Sequence, residues 1–293
     1  MPLAMPDIVS RLSEHHFRTL AELVDEHVGI KLPAAKRFML EGRLLKRVRS
    51  LNYSDVNEYV EHLLDDANFD TELIHLIDCV TTNKTDFFRE PSHFVFMRNH
   101  AVPELLGRKG RGARPLKIWS SACSTGMEAY TIAIVLDDMN FSGSSFQFSI
   151  LGTDISTSVL HLAEMGIYTP EMIAPVPAAL AKRYFRSSRD PDKDEERVVP
   201  KLRKSTNFVR MNLMDEAYPV DRDVDIIFCR NVLIYFDKPT QQKVVEQLCS
   251  HLRPGGYFIV GHSESMIYNE ATGLQQIKPT IFQSRVDRRN DHA

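Results

Sequence analysis

The segment TTNKTDFFRE at 81–90 packs amide, hydroxyl, aromatic and guanidinium groups into ten residues. Asn83 and Thr85 offer amide and hydroxyl hydrogen bonds, and Arg89 offers a planar cationic fork that suits a carboxylate. The bland alternative is that Arg89 and Glu90 form an ordinary surface pair. Phe87 and Phe88 read as core anchors. Four more positions with chemical potential follow apolar runs. SACSTGME at 121–128 ends in Glu128, an acid able to bind an ammonium group or simply to favour the first turn of a helix. GTD at 152–154 puts Asp154 at a strand tip, where a carboxylate can accept two hydroxyls of a ribose diol or cap the next helix. Asn212 and Leu213 pair an amide with an apolar chain beside which an adenine fits, although Asn before a turn is common. CRNVLIYFD at 229–237 supplies Arg230, Asn231 and Tyr235.

This set suits a nucleoside that bears no phosphates. Gly126 is the one glycine in 121–128, so the chain has neither a dinucleotide G-x-G-x-x-G nor a Gly-Lys-Ser/Thr phosphate loop there. A nicotinamide enzyme and an ATPase are disfavoured. S-adenosylmethionine needs a ribose acid, an adenine slot and partners for its amino-acid end, and no pyrophosphate cradle.

Such residues must be held by a sheet. From about residue 115, short apolar runs (116–122, 146–154, 206–212, 223–229, 256–262) alternate with helical stretches (126–139, 156–165, 239–252). That alternation predicts a parallel sheet with covering helices, with ligands beyond the strand carboxyl ends. Residues 9–80 read as wholly helical, with Ser54 as an N-cap and a helix over Phe69–Val80. A further helix is expected to start near Pro91. The polar stretch SSRDPDKDEER at 187–197 reads as an exposed hairpin or loop.

Charge is unevenly placed. The net charge is −3, yet residues 34–50 carry six bases and one acid. Read as a helix at about 100° per residue, they put Lys36, Arg43 and Arg47 within roughly a 40° arc. Phe38, Leu44, Leu45 and Val48 lie toward the other side, which is expected to pack. The basic face is either solvated or a docking surface for an acidic partner. The chain-wide balance of 39 acids and 36 bases gives no pull toward nucleic acid. The four cysteines, Cys79, Cys123, Cys229 and Cys249, have neither zinc spacing nor a C-x-x-C pair and read as reduced thiols. No run of about 18 apolar residues and no signal peptide is read, so a cytoplasmic protein without membrane insertion is expected.

TNKTDFFRE, WSSACSTGMEAYT (119–131), GTDIS (152–156), DIIFCRNVLIYFD (225–237) and LRPGGYFIVGHSES (252–265) together resemble the bacterial chemotaxis receptor glutamate O-methyltransferases, the CheR family. The resemblance runs in order over residues 10–285. It implies an α/β chain with a helical, substrate-docking N-terminal domain over 1–80. A connecting segment over 81–114 carries cofactor contacts. A Rossmann-like S-adenosylmethionine domain over 115–293 has a small antiparallel β-subdomain inserted near 168–205. It implies cofactor contacts from Asn83, Thr85, Arg89, Glu128, Asp154, Asn212, Leu213, Arg230 and Asn231, with Arg89 and Tyr235 facing the reacting carboxylate. The implied reaction forms glutamate methyl esters on the helical region of chemoreceptors and releases S-adenosylhomocysteine. Glutamate-rich receptor helices favour the docking reading of Lys36, Arg43 and Arg47.

Two departures stand out. The usual Gly-Glu-Glu-Pro-Tyr run is here Gly126-Met127-Glu128-Ala129-Tyr130, and cofactor binding is expected to survive if Met127 points away. The stretch RSSRDPDKDEERVV lacks the glycines with which some members add a receptor's C-terminal pentapeptide as a strand, so a pentapeptide-independent monomer is expected. Two rivals are a methyltransferase for nucleic acid or another substrate, and a non-catalytic cofactor-binding sensor. Against the first, Arg230-Asn231-Val232-Leu233 stands where amino-methylating enzymes carry Asp/Asn-Pro-Pro-Tyr/Phe.

Overall fold

A computed structural model describes residues 11–65, 69–109, 114–264 and 273–285. The chain divides into two compact units. One comprises residues 1–82 with Tyr235–Asp237, the other 83–234 with 238–293.

The first unit is built from helices α1 (Glu14–Val28), α2 (Arg37–Ser50), α3 (Val56–Asp65) and α4 (Phe69–Val80). Ser13 caps α1, its hydroxyl accepting from His16 N at 3.1 Å, and Gly29 ends it at φ 69°, a conformation glycine adopts without strain. Helix α2 buries Leu40, Leu44 and Val48, one every fourth residue. Each such side chain is worth about 1.5–3 kcal/mol when removed from water. Phe38, expected to pack, is 58% exposed and lies between the Arg11 and Arg37 guanidiniums. It precedes the buried series by two positions, which turns it off the packing face. The cap of α3 falls one residue later than expected: Asp55 Oδ1 accepts from Asn57 N and Glu58 N, while Ser54 binds the Glu58 carboxylate.

In the second unit α5 (Ser92–Phe96) follows Pro91, which is the residue before the helix rather than its first. A π-helical turn over Met97–Ala101 leads into α6 (Val102–Lys109). Then β1 (Leu116–Ser120), α7 (Met127–Phe141), β2 (Phe148–Asp154) and α8 (Thr157–Met165) alternate. A small three-stranded antiparallel sheet comes next: β3 (Ile167–Tyr168), β4 (Phe185–Ser187) and β5 (Glu196–Val198), in the order β3-β5-β4. Short helices α9 (Pro170–Ile173) and α10 (Ala178–Tyr184) lie within it in sequence, and α11 (Pro200–Lys204) follows. The charged stretch 187–197 thus forms a hairpin. The main fold resumes with β6 (Thr206–Arg210), β7 (Val224–Cys229), α12 (Lys238–Cys249), β8 (Leu252–Val260), β9 (Leu274–Lys278) and β10 (Ile281–Ser284).

The large sheet runs β6-β2-β1-β7-β8-β10-β9. The strands from β6 to β8 are parallel, and β10 and β9 are antiparallel additions. Strand β7 is buried at all six residues, as expected of a central parallel strand covered on both faces. The strand order reverses between β1 and β7, so a crevice opens beyond their carboxyl ends. Met127 is buried in the hydrophobic core of this unit. Among the described residues no helix is long and apolar enough to cross a membrane.

Candidate functional site

Strand β1 leaves the sheet through Ser121, whose N–H and hydroxyl both donate to Phe228 O at 2.9 and 3.0 Å. Cys123 N then donates to Thr153 O at 2.9 Å. Gly126, at φ 84°, starts α7, and a Cβ there would lie 2.8 Å from the Ala163 Cβ. The loop is therefore pressed against β2 and α8. At the tip of β2, Asp154 accepts from Ser124 N (2.8 Å) and Ser156 N (3.0 Å) with separate oxygens. The cap of α8 is Ser156, not Asp154. A carboxylate presents about four acceptor sites, so these two main-chain bonds are compatible with a diol.

Glu128 and Arg230 meet directly. Glu128 accepts from Ser120 Oγ at 2.7 Å and from Arg230 Nη1 at 2.8 Å. Arg230 Nη2 donates to Arg89 O at 2.5 Å and lies 3.1 Å from Glu90 Oε2. The Arg230 side chain is 1% exposed and its guanidinium stands 5.5 Å from the Phe94 ring centre. Burial pushes the Glu90 carboxyl up, but the Arg230 charge and the donated hydrogen bonds outweigh it, leaving Glu90 below the usual carboxylate range. The bland alternative of a surface pair between Arg89 and Glu90 is not what the structure has: Glu90 pairs with Arg230, and Arg89 Nη1 donates to Lys84 O at 2.9 Å.

The 83–90 segment is docked by its main chain. Ser124 Oγ donates to Asn83 O at 2.9 Å, and Phe88 N donates to Thr131 Oγ1 at 3.2 Å. Phe87 is the core anchor, edge-on to Tyr168 and Phe185. Thr85 and Arg89 are half-buried. Phe88, Glu90, Ser124 and Asn231 all hold positive φ between 49° and 59°. Non-glycine residues rarely adopt this region, and its clustering at one place is typical of functional sites.

Glu264 holds the loop after β7. Its carboxylate accepts from Asn231 N (2.9 Å), Val232 N (2.9 Å), Leu233 N (2.8 Å) and Gly261 N (2.5 Å). In the sequence this residue stands only as one position of LRPGGYFIVGHSES (252–265). Nothing in its own sequence neighbourhood singles it out, since it stands three residues past Gly261 in the polar run after β8. Asn231 Nδ2 also reaches Glu90 Oε1 at 3.4 Å. Asn212 makes a turn, its side-chain oxygen accepting from Met214 N at 3.0 Å, and Leu213 beside it is buried.

Tyr235 ends the 3-10 turn Leu233–Tyr235 and groups with the helical unit, where the Lys36 ammonium lies 5.6 Å from its ring centre. Of the two residues expected at the reacting carboxylate, Arg89 therefore belongs to the second unit and Tyr235 to the first. The expected basic face is corrected in two positions. Arg47 makes two hydrogen bonds to Glu72, at 2.9 and 2.6 Å, and Tyr59 shares that carboxylate at 2.9 Å. Arg43 Nη1 donates to Cys79 O, Val80 O and Thr81 O, closing the carbonyl end of α4. Both arginines hold α2 to α4, because Glu72 and the α4 carbonyls lie opposite them. Lys46 and Arg49 are the exposed bases of α2.

The donor set matches S-adenosylmethionine. An acid stands at the β2 tip, a second acid stands at the start of α7, and the β1 loop, with Gly126 as its one glycine, has no glycine-rich pyrophosphate cradle. A model of the CheR methyltransferase SAM binding domain matches residues 83–282, and one of the CheR methyltransferase all-alpha domain matches residues 15–81. A chemotaxis protein methyltransferase of Borreliella burgdorferi is 35% identical over 273 residues, covering 92% of this chain and 94% of its own. Chemotaxis protein methyltransferase 2 of Pseudomonas aeruginosa is 38% identical over 275 residues, with 92% and 94% covered. The chemotaxis protein methyltransferase of Escherichia coli K12 is 36% identical over 259 residues, with 88% and 87% covered.

Proposed function

The chain belongs to the CheR methyltransferase family, and we propose that it methylates glutamate side-chain carboxylates of chemoreceptors, using S-adenosylmethionine. The observation that carries this reading is the family match over both units, 15–81 and 83–282. When bound, the cofactor supplies a methyl group on a sulfonium, a strong electrophile. A glutamate near its usual pKa of about 4.3 is already an anion at neutral pH. The protein needs no general base; it must position the carboxylate and exclude water.

Asp154 holds the ribose diol in this reading, and Asn212 and Leu213 flank the adenine. Glu128 receives the ammonium of the amino-acid end, with Asn83, Thr85 and the Asn231 turn beside it. Arg89 orients the substrate carboxylate and Tyr235 donates a hydrogen bond to it. Arg230 is a positioning residue: its buried guanidinium ties Glu128 to the 89–90 main chain. That tie supports a site assembled from three separate segments. The uninterrupted polar hairpin between β4 and β5, which has no glycine, supports recognition without a receptor pentapeptide. Lys46 and Arg49 are the exposed bases of α2 that would meet a glutamate-rich helix, with the half-buried Lys36 beside Tyr235 and Arg43 and Arg47 bonded to α4.

The test is transfer of radiolabelled methyl groups to a purified receptor cytoplasmic fragment. Label that is released as methanol in mild base and mapped to glutamate supports the reading. Cofactor binding without transfer favours the sensor, and label on another acceptor class overturns the substrate.

A further inference from the structure

Next to the Arg230 cluster, three donors converge: Glu90, His93 and His262. Their ligand atoms all lie within 4.8 Å of one another. His93 Nδ1 is 3.5 Å and His262 Nε2 is 3.9 Å from Glu90 Oε2. The two imidazole rings stand edge to face, with centres 5.1 Å apart.

The hydrogen bonds of His93 leave one atom unexplained. His93 Nε2 lies 2.8 Å from Thr280 Oγ1, a hydroxyl able to accept from an Nε2–H. The remaining ring nitrogen, Nδ1, then carries a lone pair. It is buried, has no hydrogen-bond partner among the described residues, and faces a carboxylate oxygen. With the proton on Nε2, two acceptors face each other 3.5 Å apart with no hydrogen between them. A cation resolves that conflict. The bond from Nε2–H to an oxygen is also the outer contact that fixes the tautomer and orientation of metal-bound imidazoles.

We propose that Glu90, His93 and His262 form a binding site for a divalent cation of the zinc class. Two imidazole nitrogens and one carboxylate oxygen select zinc, cobalt or nickel over magnesium and calcium. Bonds of about 2.0–2.2 Å in a tetrahedron put neighbouring donors about 3.3 Å apart. His93 and Glu90 are nearly there already, and the exposed His262 ring has room to turn. Three protein ligands leave a fourth position for water. The local charge is favourable, since two carboxylates, Glu90 and Glu128, flank the Arg230 guanidinium. Arg230 can stay as the outer partner of Glu90, because a carboxylate has about four acceptor sites.

The site stands apart from the methyl-transfer reading, since its test needs neither cofactor nor receptor. The chelator-stripped full chain is titrated calorimetrically with Zn²⁺, and separately with Co²⁺ while the visible spectrum is followed. One equivalent of tight Zn²⁺ binding and the intense absorption of four-coordinate cobalt are expected. His262→Ala changes an exposed side chain and should lower Zn²⁺ affinity by at least about tenfold with unchanged circular dichroism. His93→Gln should abolish the cobalt spectrum. Zinc binding that His262→Ala leaves intact, or no stoichiometric binding at micromolar Zn²⁺, overturns the proposal.

Discussion

Asp154 and Arg230 are both charged and both stand at strand ends, yet they work in opposite directions. Asp154 takes two main-chain N–H groups with separate oxygens and remains at a loop tip. Arg230 is withdrawn from solvent and spends its donors on Glu128, Glu90 and Arg89 O. Asp154→Ala is therefore expected to weaken S-adenosylhomocysteine binding about ten- to a hundredfold, the loss of roughly 1.5–3 kcal/mol for hydrogen bonds to a charged acceptor. Calorimetry checks it, and unchanged affinity would remove Asp154 from the ribose. Tyr235 tests a different contribution. Tyr235→Phe removes one hydroxyl and leaves the ring beside Lys36. Cofactor affinity should stay within about twofold while the single-turnover rate falls about 5- to 150-fold, one hydrogen bond of ~1–3 kcal/mol made mainly in the transition state. A full rate at saturating cofactor would sink that role.

At the scale of elements, the pairing of α2 with α4 is the most exposed to single changes. Burial pushes the Glu72 carboxyl up, but the hydrogen bonds from Arg47 and Tyr59 and the Arg47 charge hold it below the usual carboxylate range. A carboxyl lowered in the folded state adds stability that is fully present above its unfolded value of about 4.3 and is lost as pH falls through the folded value. Arg47→Ala removes the partner and leaves a buried acid without its charge partner, at a cost of about 3 kcal/mol. Hydrogen exchange in α2 and α4 should accelerate, and acid unfolding of these helices should begin at higher pH. Exchange rates equal to wild type would mean the pair is energetically idle. The sequence made the basic stripe on α2 visible but not the acid facing it, since helical phase fixes a direction and not a neighbour. Strands β1, β2 and β7 were legible because buried parallel strands read as apolar runs. Strands β9 and β10 were not: LQQIK buries only its first residue. Glu264 was illegible for another reason, because it binds main-chain N–H groups that any sequence at 231–233 would present.

Across the whole molecule, the exposed charge left after these internal pairings should govern encounter with a receptor. Lys46→Glu with Arg49→Glu is expected to raise the KM for receptor fragments severalfold and leave S-adenosylhomocysteine affinity unchanged. Salt should mimic it, since exposed charges are screened over about 8–10 Å at 0.1–0.15 M. A KM indifferent to both changes would make this face merely solvated. The assignment of Tyr235–Asp237 to the helical unit has a consequence for dissection. The boundary between the two units is not one peptide bond near residue 82, because the chain returns to the first unit for three residues before continuing into α12. Lys31 N donates to Tyr235 O, and the Lys31 ammonium lies 3.8 Å from Asp237. A fragment beginning at Asn83 would carry every residue proposed to hold the cofactor and would still be incomplete. It would leave Tyr235 without the lysines that flank it, so proteolytic separation of the halves is expected to part cofactor binding from turnover.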